Sequence, residues 1–421
     1  MATRWHDIDW DAVFAGRARA DRYFARPGLI RKDRLALFAP AARHPATASA
    51  FDSFGGFARA VETLRGSTMQ GGPMDSDGRE IQFVLKKAHS SNASGIRFLS
   101  GDEACAACQR ASGGVVTADV VGALRLAAIG EDVQAITKLF GLLGFAVFAC
   151  AACVLPGTTG SRHSWRGWSC AAALSFAAFA GALAGGAAPR GGVGGSRRLS
   201  AVVDDLVSLF PPAQPDAKEK RTVWIIQRHV RSALIRGRKF HLRALLLCVG
   251  DLDAYVHSDV RALLATEPFD SGMRDGSRLC AHVTNMGVQR IHEPDEYDEG
   301  SQNISLEEAA AALENADASA SEVAERILSE ICSVMGDTLE AVRAADRRQF
   351  FTLSNCWELF GVDFLVEACT CRVVLLEVNP SPSLAMYGES AEVRDRLVGP
   401  CPLDGVRTPG WRRCFSKRPA A

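Results

Sequence analysis

The chain has 421 residues, 48% of them hydrophobic and 23% charged, values near globular averages that exclude a wholly disordered or fibrous protein. Lys plus Arg and Asp plus Glu each number 48, so the formal charge is zero and the chain as a whole has no electrostatic reason to seek nucleic acid. The zero is a cancellation: over 218–243 nine basic residues face the single acid Glu219, a net of +8, and over 293–340 fourteen acids face Arg326 alone, a net of −13. Each block reads either as a solvated face or, for the basic one, as a surface that meets an anionic ligand such as a nucleotide or an acidic peptide.

In chain order, 1–80 reads as a small α+β N-terminal lobe anchored by Trp5, Trp10, Tyr23 and Phe24, with a basic run, Arg31, Lys32 and Arg34, ahead of an apolar stretch. Charges at Arg4, Asp7 and Asp9 stand where a secretory signal would need an apolar core. The 13 cysteines are therefore expected to be reduced cytosolic thiols. Two apolar runs, 82–88 and 96–99, predict strands joined by a Ser/Asn-rich loop. Two Cys-x-x-Cys pairs, Cys105/Cys108 and Cys150/Cys153, have zinc-ligand spacing, but the second lies among Ala, Phe, Val and Leu with no polar group to orient a ligand.

Residues 101–200 form a long Ala/Gly-rich apolar insertion. Within it 139–155 and 169–188 are uncharged runs of a length that spans a bilayer, and the Gly-rich stretch 191–195 reads as a linker. Three readings stay open: a membrane hairpin, a buried extra helical layer, or non-coding sequence read into the chain. Membrane contact is expected only if the two runs are spanning helices.

Beyond the insertion, 199–210 is amphipathic and Pro211, Pro212 and Pro215 break it; 223–227, 240–249 and 254–256 read as strands. Ser305 to Glu308 has the capping-box order, and Val323, Ile327, Ile331 and Val334 repeat at helical spacing up to Gly336. The runs 361–367 and 372–378 predict a hairpin, and 393–421 reads as a basic tail ending in a disordered segment.

The hairpin carries the sharpest local chemistry. Alternation places Glu377 and Asn379 on one face, and a turn with an odd number of residues puts Asp363 opposite Glu377. Two carboxylates and an amide oxygen would then converge, a hard-oxygen set suited to magnesium with phosphates completing its shell. The bland reading is a solvated acidic face; the apolar neighbours Phe360, Val362, Phe364, Val374 and Leu375 favour a recessed site.

Five ordered motifs resemble a known family. They are Trp224-Ile225-Ile226-Gln227-Arg228, Arg238-Lys239-Phe240-His241-Leu242-Arg243, Thr266-Glu267-Pro268-Phe269, His282-Val283-Thr284-Asn285, and Leu359 to Phe364 followed by Leu375 to Pro382. They resemble the tubulin tyrosine ligase-like enzymes, which have the ATP-grasp fold. The resemblance implies an α+β ATP-grasp ligase with a small N-terminal lobe, interrupted by the apolar insertion, the ligase domain comprising 81–100 and 201–392. It implies ATP and magnesium as cofactors, with Lys86, Gln227, Arg228, Lys239, His241 and Asn285 around the nucleotide. Lys239 and Arg243 are implied to act on the phosphates and the acyl phosphate, and Asp363, Glu377 and Asn379 to hold the metal. The implied reaction activates a carboxylate with ATP and then joins an amino acid, glutamate or tyrosine, to the tail of tubulin or another acidic protein. Such an enzyme is expected to be cytoplasmic and associated with the cytoskeleton. Three departures motivate an alternative, a catalytically weakened tubulin-binding or scaffolding member: His241 replaces the family's usual aspartate, Leu263 its usual arginine, and the loop after Lys86 has the single glycine Gly95 where the family's is richer.

Overall fold

In a computed structural model, residues 4–66, 81–90, 95–111, 199–210, 222–269, 279–313, 319–368, 370–388 and 410–416 are described. Both apolar runs, 139–155 and 169–188, lie outside these residues. Among the described residues no helix is long and apolar enough to cross a membrane.

Two antiparallel sheets organise the chain. The small one has the order β2-β1-β3, built from β1 (Ile81–Lys87), β2 (Arg97–Ser100) and β3 (Trp224–Arg228). Strand alternation sends Phe83, Leu85, Trp224 and Ile226 to one face, where helices Phe54–Gly66, Gly101–Ala111 and Leu199–Ser208 cover them. Val84, Lys86 and Gln227 face a cleft. Helices at both ends of the expected insertion thus pack in the small lobe.

The larger sheet contains β4 (Leu234–Ile235), β5 (Arg238–Val249), β6 (Asp253–His257), β7 (Arg261–Leu264), β8 (Asn303–Ser305), β9 (Trp357–Val366), β10 (Val373–Pro380) and β11 (Trp411–Ser416). Its path is β10-β9-β5-β6-β11, with β4 and β7 joined to β5 and β8 to β7. Phe240, Leu242, Ala244, Leu246 and Cys248 of β5 enter the main core with Val362 and Phe364 of β9. The long helix Ala320–Ala344 closes that core with Val323, Ile327, Ile331, Val334, Met335 and Leu339. Each such fully buried aliphatic side chain contributes roughly 1.5–3 kcal/mol by leaving water.

Three expectations are corrected here. Within the expected lobe 1–80, the described residues 4–66 do not build a core of their own: Val13, Tyr23, Leu29 and Leu35 enter the core of the large sheet, whereas Phe51, Phe57, Val61 and Leu64 enter that of the small one. The helix does not end at Gly336 but runs to Ala344, started by a full capping box of Ser319 and Glu322. Glycine inside the helix lets β11 approach, because a Cβ at 336 would sit 2.7 Å from the Cys414 carbonyl oxygen. The basic C-terminal stretch, read as disordered, supplies β11, paired with β6 and tied to the helix by Arg412 Nη1 on Glu325 at 2.7 Å. Its alternation was masked by the arginines, which face solvent or the helix while Trp411 and Phe415 are buried.

Candidate active site

The cleft between the sheets gathers the ionisable groups. On β5, alternation that buries Phe240 and Leu242 turns Lys239, His241 and Arg243 to the other side. Asp363 pairs across with Arg243 in the β5–β9 ladder and with Glu377 in the β9–β10 ladder. Arg243 donates to Asp363 from Nε and, at 3.0 Å, from Nη2. Asn379 Nδ2 donates to Asp363 and to Glu377, each at 3.1 Å. A side chain at Gly361 would lie 3.3 Å from Arg243 Cδ and 2.9 Å from Pro382 Cβ, so glycine there leaves room for the arginine stem.

The Asp363–Glu377 pairing arises differently from the expected odd turn. Val373 pairs with Val366 and Leu375 with Phe364, an even-loop register that would pair Leu376 with Asp363 and send Glu377 toward the core. A bulge between Leu375 and Glu377 adds one residue and turns Glu377 and Asn379 to the cleft while Val378 goes inward.

Cations surround the two carboxylates. Lys32, from the helix Lys32–Phe38, places Nζ 2.8 Å from Glu377 Oε2 and donates to the Ser90 carbonyl at 2.7 Å. Burial alone would raise the Glu377 pKa, but Lys32, Lys86 and the Asn379 amide outweigh it and hold the carboxyl down at about 2. Desolvation lowers the Lys86 ammonium to about 8, with Lys32 adding to the shift and Glu377 and Asp363 opposing it. His241 is buried; its Nδ1 meets Thr284 Oγ1 and its Nε2 lies 3.7 Å from Asp363 Oδ1. Desolvation lowers its pKa, so the ring is neutral near pH 7.

Toward the other end of the cleft, Lys239 Nζ sits 2.9 Å from His229 Nε2 and 3.3 Å from His282 Nδ1, and 4.3 Å from the centre of the Phe269 ring. Burial keeps both histidines neutral, His282 at about 4, so they offer lone pairs to the ammonium. Gln227 donates to Thr47 Oγ1 at 2.9 Å and lines the cleft.

Of the ten candidate residues, Lys86, Gln227, Lys239, His241, Arg243, Asp363, Glu377 and Asn379 have side chains that meet in or beside this cleft. Arg228 and Asn285 line the cleft as well but carry structural contacts besides. The Arg228 guanidinium donates to the Leu64 carbonyl at 2.6 Å and stacks on Phe83, while Asn285 caps the helix Met286–His292 by accepting from Gly287 and Val288. Sequence reasoning missed Lys32, His229 and Thr284 as members of the site. Lys32 had only the basic run at 31–34 to signal it, Thr284 only its place in a motif, and His229 only its position one residue past another.

The donor set fits the expected cofactors. Asp363 and Glu377 supply hard oxygens, and the Asn379 amide supplies a third once its oxygen and nitrogen exchange places, an orientation set by the hydrogen-bond network. Among the described residues no group of three or more His, Cys, Asp or Glu forms a metal cage. Lys32, Lys86 and Lys239 place positive charge along the cleft.

Residues 199–399 match the model of the tubulin-tyrosine ligase family. The chain is 31% identical over 168 residues to a probable tubulin–tyrosine ligase of Schizosaccharomyces pombe, a match that covers 40% of this chain and 38% of that protein. It is 28% identical over 176 residues to a probable tubulin–tyrosine ligase of Saccharomyces cerevisiae, covering 39% and 22%. To a probable alpha-tubulin polyglutamylase of Tetrahymena thermophila it is 24% identical over 183 residues, covering 42% of each. The chain thus spans less than half the length of these curated relatives. Among solved structures, the C-terminal domain of K. lactis Pby1, described as an ATP-grasp enzyme interacting with the mRNA decapping enzyme Dcp2, superposes with a TM-score of 0.48 at 16% identity, covering 99% of this chain and 87% of that one.

Proposed function

We propose that the protein, whose residues 199–399 match the tubulin-tyrosine ligase family model, is an ATP- and magnesium-dependent ligase of ATP-grasp type that joins glutamate or tyrosine to a carboxylate of tubulin or a similar acidic protein tail. The observation that carries this reading is the meeting of Asp363, Glu377 and Asn379 with Arg243 and three lysines in one cleft between two sheets. Magnesium bound there would neutralise phosphate charge and orient the terminal phosphate toward the acceptor carboxylate.

The chain's own groups divide the work by position. Lys86 on β1 and Lys239 on β5 face each other across the cleft and hold phosphates as point charges. Arg243, held beside Asp363, stabilises negative charge that develops on the acyl phosphate. Neutral His229 and His282 position the Lys239 ammonium. Little covalent work falls to the protein; positioning and neutralisation of charge carry the rate.

The test is purified protein with ATP, magnesium, tubulin and labelled glutamate, tyrosine or glycine. Transfer is expected for one amino acid and is expected to drop by about 100-fold or more in Glu377→Gln, the scale of losing one electrostatic contact to a transition state. Undiminished transfer in that variant would refute the metal assignment.

A weakened, tubulin-binding member is the second reading, and one observation favours it. Leu263, where the resemblance has an arginine, is buried against Met386 and Tyr387, and Arg261 beside it is engaged by Asp259 at 2.9 Å. Microtubule binding without ATP, together with no measurable affinity for magnesium-ATP, would decide for this reading.

A further inference from the structure

Cys105 and Cys108, a motif to which the proposed activity gives no role, lie three residues apart on the helix Gly101–Ala111 and so share one face. Neither forms a disulfide; Cys105 is half-buried and Cys108 buried, with its Sγ donating to the Ala58 carbonyl at 3.6 Å. Zinc is the competing use of such spacing, but among the described residues no cluster of three His, Cys, Asp or Glu ligands gathers around them. Burial pushes the Cys108 thiol up to about 11, which leaves the more open Cys105 as the sulfur that meets an oxidant and Cys108 as the one that follows.

We propose that Cys105 and Cys108 form a reversible dithiol–disulfide couple on the covered face of the small sheet, with a peroxide as the oxidant. The Cys105 thiolate attacks one peroxide oxygen, the O–O bond breaks, and hydroxide leaves a sulfenic acid on Cys105. The Cys108 sulfur then displaces that hydroxyl as the S–S bond forms, and its proton departs with the oxygen as water. In sum two thiols lose two electrons, one hydrogen peroxide is reduced, and two waters form.

The helix cannot take up this bond unchanged. Cβ atoms three residues apart on a helix are about 5–6 Å from each other, whereas a disulfide requires roughly 3.5–4.5 Å. Oxidation must tighten the turn between 105 and 108 and draw Cys108 off the Ala58 carbonyl. Ala104, Ala106, Ala107 and Cys108 belong to the core cluster that also holds Phe83, Leu85 and Leu99. The strands of those residues carry Lys86 and Phe98 into the cleft on their other face. A distorted helix therefore moves the cleft wall that bears Lys86. The disulfide stands apart from the proposed activity; its effect on nucleotide rests on that reading.

The experiment treats the full chain with hydrogen peroxide, blocks the remaining thiols by alkylation and maps the peptides, with a dithiothreitol-reversed sample beside it. A Cys105–Cys108 linked peptide that reduction removes is expected. Magnesium-ATP is expected to bind about 5-fold or more weakly after oxidation, the low end of ordinary coupling between two sites, and the melting temperature to fall. Cys105→Ser should bind as the reduced protein does and lose both responses; as the more exposed position it tolerates serine where Cys108 does not. If Cys105 and Cys108 stay alkylatable while other thiols oxidise, or if Cys105→Ser still responds, the proposal is overturned. Should the reduced protein bind no ATP, the ligase reading fails alone, and the linked peptide with its melting shift still decides the couple.

Discussion

The two walls of the cleft carry their charges in different ways. On the large sheet each carboxylate is met by a cation or an amide: Asp363 by Arg243 and Asn379, Glu377 by Lys32 and Asn379. On the small sheet Lys86 lines the cleft beside Val84, Ile96 and Phe98, and desolvation lowers its pKa to about 8. The first arrangement ties the charged wall into the fold. The second holds an ammonium where solvation is poor, a condition that binding of an anion would relieve.

Removing charge from each wall separates these cases, and the largest effect is expected on the large sheet. Asp363→Asn leaves the buried Arg243 guanidinium without its carboxylate, and a loss of about 3–5 kcal/mol in urea unfolding is expected, as for other broken buried pairs, along with ATP-dependent transfer. Lys86→Met should show the opposite profile, unchanged or raised stability but magnesium-ATP affinity reduced about 10- to 100-fold, the scale of one charged hydrogen bond. Equal destabilisation by both variants would erase the distinction.

Glu358 sharpens the comparison, because it lies on β9 of the large sheet yet behaves like Lys86. Burial raises its pKa to about 7, although Arg26 Nε at 2.8 Å and the Tyr23 amide pull the other way. Since the folded value exceeds the usual 4.5, the protonated form favours folding, and the contribution present below pH 4.5 is lost as pH rises through 7. Wild-type stability should therefore fall by up to about 3 kcal/mol between acid and neutral pH through this residue. Urea midpoints at the two ends of that range should differ less in Glu358→Gln; identical slopes would sink the assignment.

The smallest effect concerns packing. Gly336→Ala gains up to about 1 kcal/mol of helix propensity but drives a methyl into the Cys414 carbonyl, where overpacking costs about 1–3 kcal/mol. A melting temperature a few degrees lower is expected.

How much of this was legible varies residue by residue. The strands at 81–87, 224–228 and 238–249 could be read from their apolar runs, since burial on a sheet face leaves a strong local trace. The Ser305–Glu308 capping box appeared as expected, because it is satisfied within one turn. The bulge at Leu376 was not readable: Val373 and Leu375 share the parity of Glu377 and Asn379, so local pattern alone cannot say which pair faces the core. β11 was hidden for a related reason, its basic residues outweighing Trp411 and Phe415 in any compositional reading. Lys32 stayed unassigned because its partner Glu377 is hundreds of positions away and nothing local reports that distance.

Composition, periodicity and motif order by themselves determined an α+β chain with a hairpin bearing Asp363, Glu377 and Asn379, since those signals are local and repeat within a few residues. Tertiary structure alone decided that the opening segment serves two cores, that the basic end completes a sheet, and that Arg228 and Asn285, while lining the cleft, also hold a carbonyl and a helix start. It also brought Lys32 to Glu377 and Lys239 between two histidines. Pairings of that kind depend on which strands become neighbours and how each registers with the next, and that is settled by burial of the whole core rather than by any single stretch of the chain.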